Sequence, residues 1–260
     1  RNYRKGMSSP ITGQEMCSRL SPYLSTGCIS IRQIFHYTKR KQKKVKQDPR
    51  SKENRGWTSS LSSFQSRLAW HCHFIQRLEL ETTMDTIALN PELDNELQRN
   101  FDEQRYQAWS EGKTGWPFFD ACMRSLIATG WINFRMRAML QSVASYTLWL
   151  PWQDTGLHLA RLFLDYEPGI HWSQVHMQSG VTGINSVRAY SVRKQSEDQD
   201  PEGDFIREWV GELASVPTEF IHEPWLMTQE QQELYKCEIG KDYPAPIVDE
   251  KVSRKEGVSK

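Results

Sequence analysis

The 260-residue chain is short of the features that mark several protein classes. Eighteen apolar residues never run together, so no segment reads as a membrane-spanning helix. Residue 1 is Arg and no secretory leader follows it. The five cysteines (17, 28, 72, 122, 237) are odd in number, scattered and without a C-x-x-C pair, which argues against a disulfide framework and a zinc or iron–sulfur cage. An intracellular protein is expected, in cytoplasm, nucleoid or nucleus. His71-Cys72-His73 lies in a helical stretch where i and i+2 point to different faces, so no metal site is expected there. The absence of G-x-S-x-G, a Walker loop and G-x-G-x-x-G leaves hydrolase, nucleotide-triphosphatase and Rossmann readings without a motif. Internal repeats and sustained period-two alternation are missing too, which speaks against solenoids and sheets.

Acidic residues are scarce at the start. Residues 1–60 hold 14 Lys/Arg against 3 Asp/Glu, although the whole chain has a formal charge of only +1. Six of the eight residues from Lys39 to Lys46 are basic. Such a block is either a solvated helix end or a phosphate-attracting surface.

What is abundant is helical spacing. Ser30 has the chemistry of an N-cap for a helix through Ile31, Ile34 and Phe35 that fades into the lysines. Leu61, Phe64, Leu68, His71, Ile75 and Leu78 trace one face of a second helix. Asn90-Pro91-Glu92 reads as a cap, a first-turn proline and a first-turn acid, opening a polar helix towards Trp109. Phe119, Cys122, Met123, Leu126 and Ile127 form the clearest apolar stripe, ended at Thr129-Gly130. A long helix is expected from about Trp131 to Trp149, another over Leu157–Leu164, and a break at Pro168-Gly169. The fold is therefore predicted to be all-α, a multi-helix bundle over residues 1–240 with a short polar tail, 241–260.

Two clusters bear chemistry. Cys17-Ser18-Arg19-Leu20-Ser21-Pro22 sets hydroxyls and a guanidinium just before a predicted helix, a pattern that suits a diphosphate or ordinary capping. Arg135 and Arg137, beside Trp131 and Phe134, are followed downstream by Asp165-Tyr166-Glu167-Pro168-Gly169-Ile170-His171-Trp172. Antiparallel packing would let an Arg meet Asp165 or Glu167 in a buried pair, functional or merely structural.

In order, Ser18-Arg19-Leu20-Ser21-Pro22-Tyr23-Leu24, the Trp109–Pro117 segment (WSEGKTGWP), Asp120-Ala121-Cys122-Met123-Arg124, Thr129-Gly130-Trp131 and Asp200-Pro201-Glu202-Gly203-Asp204-Phe205-Ile206-Arg207 resemble the C-terminal FAD-binding domain of the cryptochrome/DNA photolyase family. The resemblance implies a flavin-binding helical bundle holding FAD in a U shape. It assigns Tyr3, Cys17, Ser18, Arg19, Leu20 and Ser21 to the diphosphate side, and Phe64, His71 and Trp131 to the cavity. Arg137 and Asp165 match the ion pair over the flavin, Glu167 matches the acceptor of its N3–H, and His171 matches the residue facing N5, where an imidazole would donate or titrate near neutral pH. It also implies an α/β antenna domain, absent from this chain, preceding it.

Departures fall on the substrate side and on the electron route. Of the residues that contact a thymine dimer, Trp70 and Arg135 match, whereas Arg67, Phe134 and Met177 stand where the family has glutamate, asparagine and a second tryptophan. Of the three tryptophans that reduce flavin, Trp152 matches, with Val175 and Arg99 at the other positions; Trp149, Tyr146, Tyr166 and Trp172 are alternates. The resemblance thus implies a monomeric enzyme, a deoxyribodipyrimidine photo-lyase acting on DNA that contains pyrimidine dimers. The alternatives are a cryptochrome-type blue-light receptor without repair, and a degenerate protein-binding module.

Overall fold

A computed structural model describes residues 1–184 and 187–260. The first helices are α1 (Tyr3–Gly6), α2 (Pro10–Met16), α3 (Ser21–Ser25), α4 (Ile31–Gln47) and α5 (Trp57–Leu80). They are followed by α6 (Pro91–Leu97), α7 (Glu103–Glu111), α8 (Pro117–Thr129), α9 (Phe134–Ser142) with a π-helical turn at Val143–Thr147, α10 (Trp152–Leu162) and α11 (Pro168–Ser179). The rest is α12 (Val192–Gln199), α13 (Asp204–Trp209), α14 (Thr218–Ile221), α15 (Gln229–Leu234) and α16 (Glu250–Ser259). Among the described residues the only β feature is one bridge, Ile239 to Tyr243, and no helix is long and apolar enough to cross a membrane. The fold is all-α.

Local chemistry explains most boundaries. Ser30 caps α4 through a box in which its side chain accepts from Gln33 N–H and Gln33 reaches back to the Ser30 N–H. With that start, α4 continues through the lysines to Gln47 instead of fading. Asn90 Oδ1 accepts from Leu93 N–H as expected. The helix it opens is short, because Gln98 turns left-handed (φ 42°) and Asp102 caps a new one, so one expected helix is two. Pro168, expected at a break, sits in the first turn of α11, where its missing N–H costs nothing.

Two further expectations are corrected. The helix expected over 131–149 begins at Phe134 and closes as a π turn, after which Trp149 is left-handed (φ 56°). The α8 stripe is wider than the spacing implied: Phe118, Ala121 and Ser125 are buried as well, while Ile127 is exposed.

Around α8 lies the main core, in which Trp109, Phe119, Met123, Leu126, Met139, Leu140, Phe205 and Tyr243 are buried from water. A second cluster joins Met84, Trp152, Trp172, Val175 and Val181. Close crossings need glycine: a Cβ on Gly169 of α11 would stand 2.6 Å from the Phe74 carbonyl oxygen of α5.

Residues 241–260, read from sequence as a tail, pack on the bundle. Tyr243 is fully buried and donates to Asp120, Ile247 N–H donates to the Thr114 carbonyl at 2.9 Å, and α16 lies along the π turn. Mixed charge hid this, since α16 buries little beyond Gly257.

Candidate cofactor site

The expected ion pair forms. Arg137 Nη1 and Nη2 donate to the two oxygens of Asp165, each at 2.9 Å, and Arg137 Nε donates to the Ile132 carbonyl at 2.7 Å. Phe163 packs under the guanidinium at 4.2 Å. The Asp165 side chain is 3% exposed. Burial alone would raise its carboxyl; the charge and hydrogen bonds of Arg137, with the Ser21 hydroxyl, outweigh that and hold it below the ordinary carboxylate range.

Several residues singled out in the sequence converge on this pair. Burial raises the Cys17 thiol, and Arg19 and Arg137 are near enough to counter it. Tyr3 is raised by burial and by Cys17, and its ring meets Phe64 edge-on at 5.5 Å. Ser21 reaches Asp165 from the start of α3. Across the cluster, His71 on α5 is lowered by burial and feels Glu167, the residue preceding α11.

Other residues sit differently. Arg19 is left-handed (φ 52°) and lies 3.9 Å over the Trp131 ring; the two border a pocket of about 160 Å³ with Thr129, Phe205 and Trp209, which none of the Arg137–Asp165 cluster lines. Ser18 is exposed and Leu20 half-buried. His171 is corrected: its Nε2 lies 2.8 Å from the Gly156 carbonyl, an acceptor only, so that nitrogen carries the proton and Nδ1 the lone pair. Burial lowers this imidazole to about 4, so it is neutral at physiological pH and does not titrate there.

Of the residues that the resemblance sets towards a substrate, Trp70 is half exposed and stacks on Phe74 (5.5 Å, 26°), and Arg67 and Phe134 also face solvent. Arg135 Nε is buried without a hydrogen-bond partner. Trp152 is fully buried, with Trp172 at 6.0 Å and His176 at 4.4 Å, both edge-on.

Two of the most recognisable sequence motifs prove to be scaffold. Asp120 accepts from Thr114 N–H and Oγ1, Gly115 N–H and the Tyr243 hydroxyl, which ties the α7–α8 turn to the C-terminal segment. Asp200 accepts from the N–H groups of Phe205 and Ile206 and so fixes the start of α13. Sequence reasoning missed Asp94, whose carboxylate accepts from Trp152 Nε1; no spacing pairs residues so far apart.

FAD fits these residues. His71 Nδ1 is a buried polar atom without a protein partner. The Arg137, Asp165, His71 and Glu167 group offers donors and acceptors together, as the mixed edge of a flavin requires, with Cys17 and Ser21 beside it and Ser18 and Arg19 outside it.

Comparison with known proteins agrees. The sequence profile of the FAD binding domain of DNA photolyase matches residues 64–260. The chain is 31% identical over 247 residues to the deoxyribodipyrimidine photo-lyase of Alkalihalophilus pseudofirmus, covering 93% of this chain and 48% of that protein. It is 29% identical over 251 residues to the cryptochrome DASH of Synechocystis sp., covering 95% and 47%. Among solved structures, a Synechocystis cryptochrome superposes with a TM-score of 0.87 at 26% identity, over 99% of this chain and 51% of that one. An archaeal photolyase from Sulfolobus tokodaii, determined with two FAD molecules, gives 0.76 at 27%, over 98% and 52%. The chain spans about half the length of the curated relatives it matches. The helical bundle, and a profile match over most of its length, place the chain in the photolyase/cryptochrome family, as its helical FAD-binding domain.

Proposed function

We propose that this domain holds FAD over the Arg137–Asp165 pair and serves light-driven repair of pyrimidine dimers in DNA. The observation that carries the reading is that pair, bidentate and buried, with Cys17, Ser21 and His171 gathered around it. When bound and reduced, the flavin supplies the light-excited electron that splits a dimer. The chain's own residues bind and orient. Arg137 and Asp165 fix each other, His71 and Glu167 stand opposite, and burial excludes water. Trp70, exposed on α5, is the stacking platform for a lesion flipped from the duplex, and the lysines of α4 attract phosphate without reading sequence. The α/β antenna domain implied by the resemblance belongs to this reading as a partner.

A second reading, a blue-light receptor of the cryptochrome type, is favoured by one observation. Arg67 and Phe134, at positions that grip a dimer in the family, are a solvent-facing cation and a solvent-facing ring.

The deciding experiment is an anaerobic photorepair assay of the FAD-loaded, reduced chain on a single-stranded oligonucleotide with one cyclobutane dimer, under blue light and in the dark. Light-dependent loss of the dimer is expected. Bound flavin that responds to light without repair would transfer the reading to the receptor. A chain that holds no flavin would overturn both.

A further inference from the structure

Trp152 ends in an unusual place. Its indole is buried from water, yet Nε1 donates to both oxygens of Asp94, each at 3.1 Å. Asp94 is half-buried on α6 and lines a polar pocket of about 350 Å³ with Asn95, Gln98, Arg99, Asn100 and Gln153. The side chains of Asn95, Gln98, Asn100 and Gln153 are exposed, so the pocket reaches solvent. An inaccessible ring is thereby joined to water through one carboxylate.

On the opposite side, Trp172 meets Trp152 edge-on at 6.0 Å, and its ring lies 4.9 Å from His171, which borders the Arg137–Asp165 cluster. The aromatic contacts thus run from the cofactor site through His171 and Trp172 to Trp152. Beyond Trp152 the pocket presents Arg99, whose guanidinium is held by the Ser145 and Ser179 carbonyls at 3.1 and 2.7 Å. A guanidinium does not give up an electron under these conditions, but the rings it packs on, Trp149 at 4.8 Å and Tyr146 at 5.7 Å, can, so holding an electron vacancy at Trp152 requires the loss of its proton.

We propose that Asp94 is the proton acceptor that traps an oxidised Trp152. Trp172 gives one electron to the photoexcited, oxidised flavin, and Trp152 refills Trp172. The Trp152 radical cation, now strongly acidic at nitrogen, breaks its Nε1–H bond and passes the proton to an Asp94 oxygen, forming O–H. One electron has moved towards the flavin and one proton towards the pocket, leaving a neutral indolyl radical. Charge recombination then requires the proton to return as well, which lengthens the life of the separated state. The hydrogen bond is already in place, so the transfer needs no rearrangement.

The proposal rests on the flavin reading, and the test separates the two. Transient absorption of the FAD-loaded 260-residue chain distinguishes neutral indolyl radical from its cation by their different visible bands, in H₂O and D₂O. Asp94→Asn keeps an acceptor for the indole N–H but cannot take the proton, Asp94→Glu restores a carboxylate, and Trp152→Phe removes the radical site. Deprotonation should slow on the order of tenfold or more in Asp94→Asn, corresponding to about 1.4 kcal/mol or more of barrier. The solvent isotope effect should be lost with it, and Asp94→Glu should recover part of both. In the flavin-free chain, the ¹⁵N-indole signal of Trp152 should shift in Asp94→Asn and return towards its wild-type position in Asp94→Glu, because Nε1 donates to the Asp94 carboxylate. Neutral radical forming at the wild-type rate in Asp94→Asn overturns the proposal. Flavin that binds and responds to light without any tryptophan radical overturns it too, while leaving the cofactor reading intact. Failure to bind flavin removes both.

Discussion

Replacing Arg137 by Ala strands Asp165, a carboxylate with 3% of its side chain exposed, beside only the Ser21 hydroxyl and its own backbone. Removing one partner of a buried ion pair costs about 3–5 kcal/mol, because the other charge stays buried. Arg137 itself keeps 22% exposure, which places the expectation at the lower end, about 3 kcal/mol. For a domain near this size each kcal/mol moves Tm by about 2–4 °C, so a fall of roughly 6–12 °C is expected.

The pH dependence gives the prediction its sign. In the wild type Asp165 is held below its unfolded value, so its stabilisation is complete at neutral pH and is lost only as pH falls through that depressed value. In Arg137→Ala, burial becomes the ruling influence and raises the carboxyl above its unfolded value. Protonation then relieves the penalty, and the variant should recover stability relative to wild type as pH falls from about 7 towards about 4, the ordinary carboxylate value. Urea unfolding followed by circular dichroism across that range is the assay, with FAD retention measured in parallel and Arg137→Ala/Asp165→Asn as control. The double variant should lose the recovery. An Arg137→Ala protein melting within a degree of wild type, or a deficit flat with pH, would refute the reasoning.

Trp70→Ala should leave FAD bound and weaken binding of dimer-containing single-stranded DNA by about 1–3 kcal/mol, roughly 5- to 150-fold in Kd by fluorescence anisotropy. Equal affinity would take Trp70 out of the lesion site. Burial raises Asp120 to about 6, above its unfolded value, despite the hydroxyls of Thr114 and Tyr243. That group's contribution should therefore fall as pH rises from about 4 to about 6, and the slope of urea midpoint against pH there should shrink in Asp120→Asn. A Cβ on Gly257 would collide with the Tyr146 carbonyl oxygen. Gly257→Val should detach α16, seen as faster amide exchange over 250–259 with the α8 core still protected; unchanged exchange would contradict the packing described for that segment.

Legibility followed the range of the interactions. Capping is local, so Ser30 and Asn90 declared their helices; the break at Gln98 needed a backbone sign that glutamine does not advertise. The α8 stripe was visible, but its burial on nearly all sides was not, because Asp120 looks solvent-facing until its partners, Thr114, Gly115 and Tyr243, are known. The Arg137–Asp165 pair was reached through resemblance, since spacing alone did not single out a functional pair. His171 was misjudged for a related reason: residue type predicts a neutral-pH titration, and only burial lowers it to about 4, against the opposing pull of the Gly156 carbonyl.

The segments that carried the resemblance and the segments that carry chemistry are largely different ones. Asp120 and Asp200 spend their carboxylates on backbone N–H groups and a tyrosine, so replacing either breaks a turn before it touches a ligand. These constraints are met inside the chain and do not depend on which lesion or signal is served. Arg67 and Phe134 face solvent, and a change there leaves the core untouched. A fold held by its scaffold motifs can therefore keep its cofactor pair while its outer pocket is rebuilt. Under the proposed function, the ion pair bears on whether flavin is held, and the exposed residues of α5 and α9 bear on what the flavin is used for.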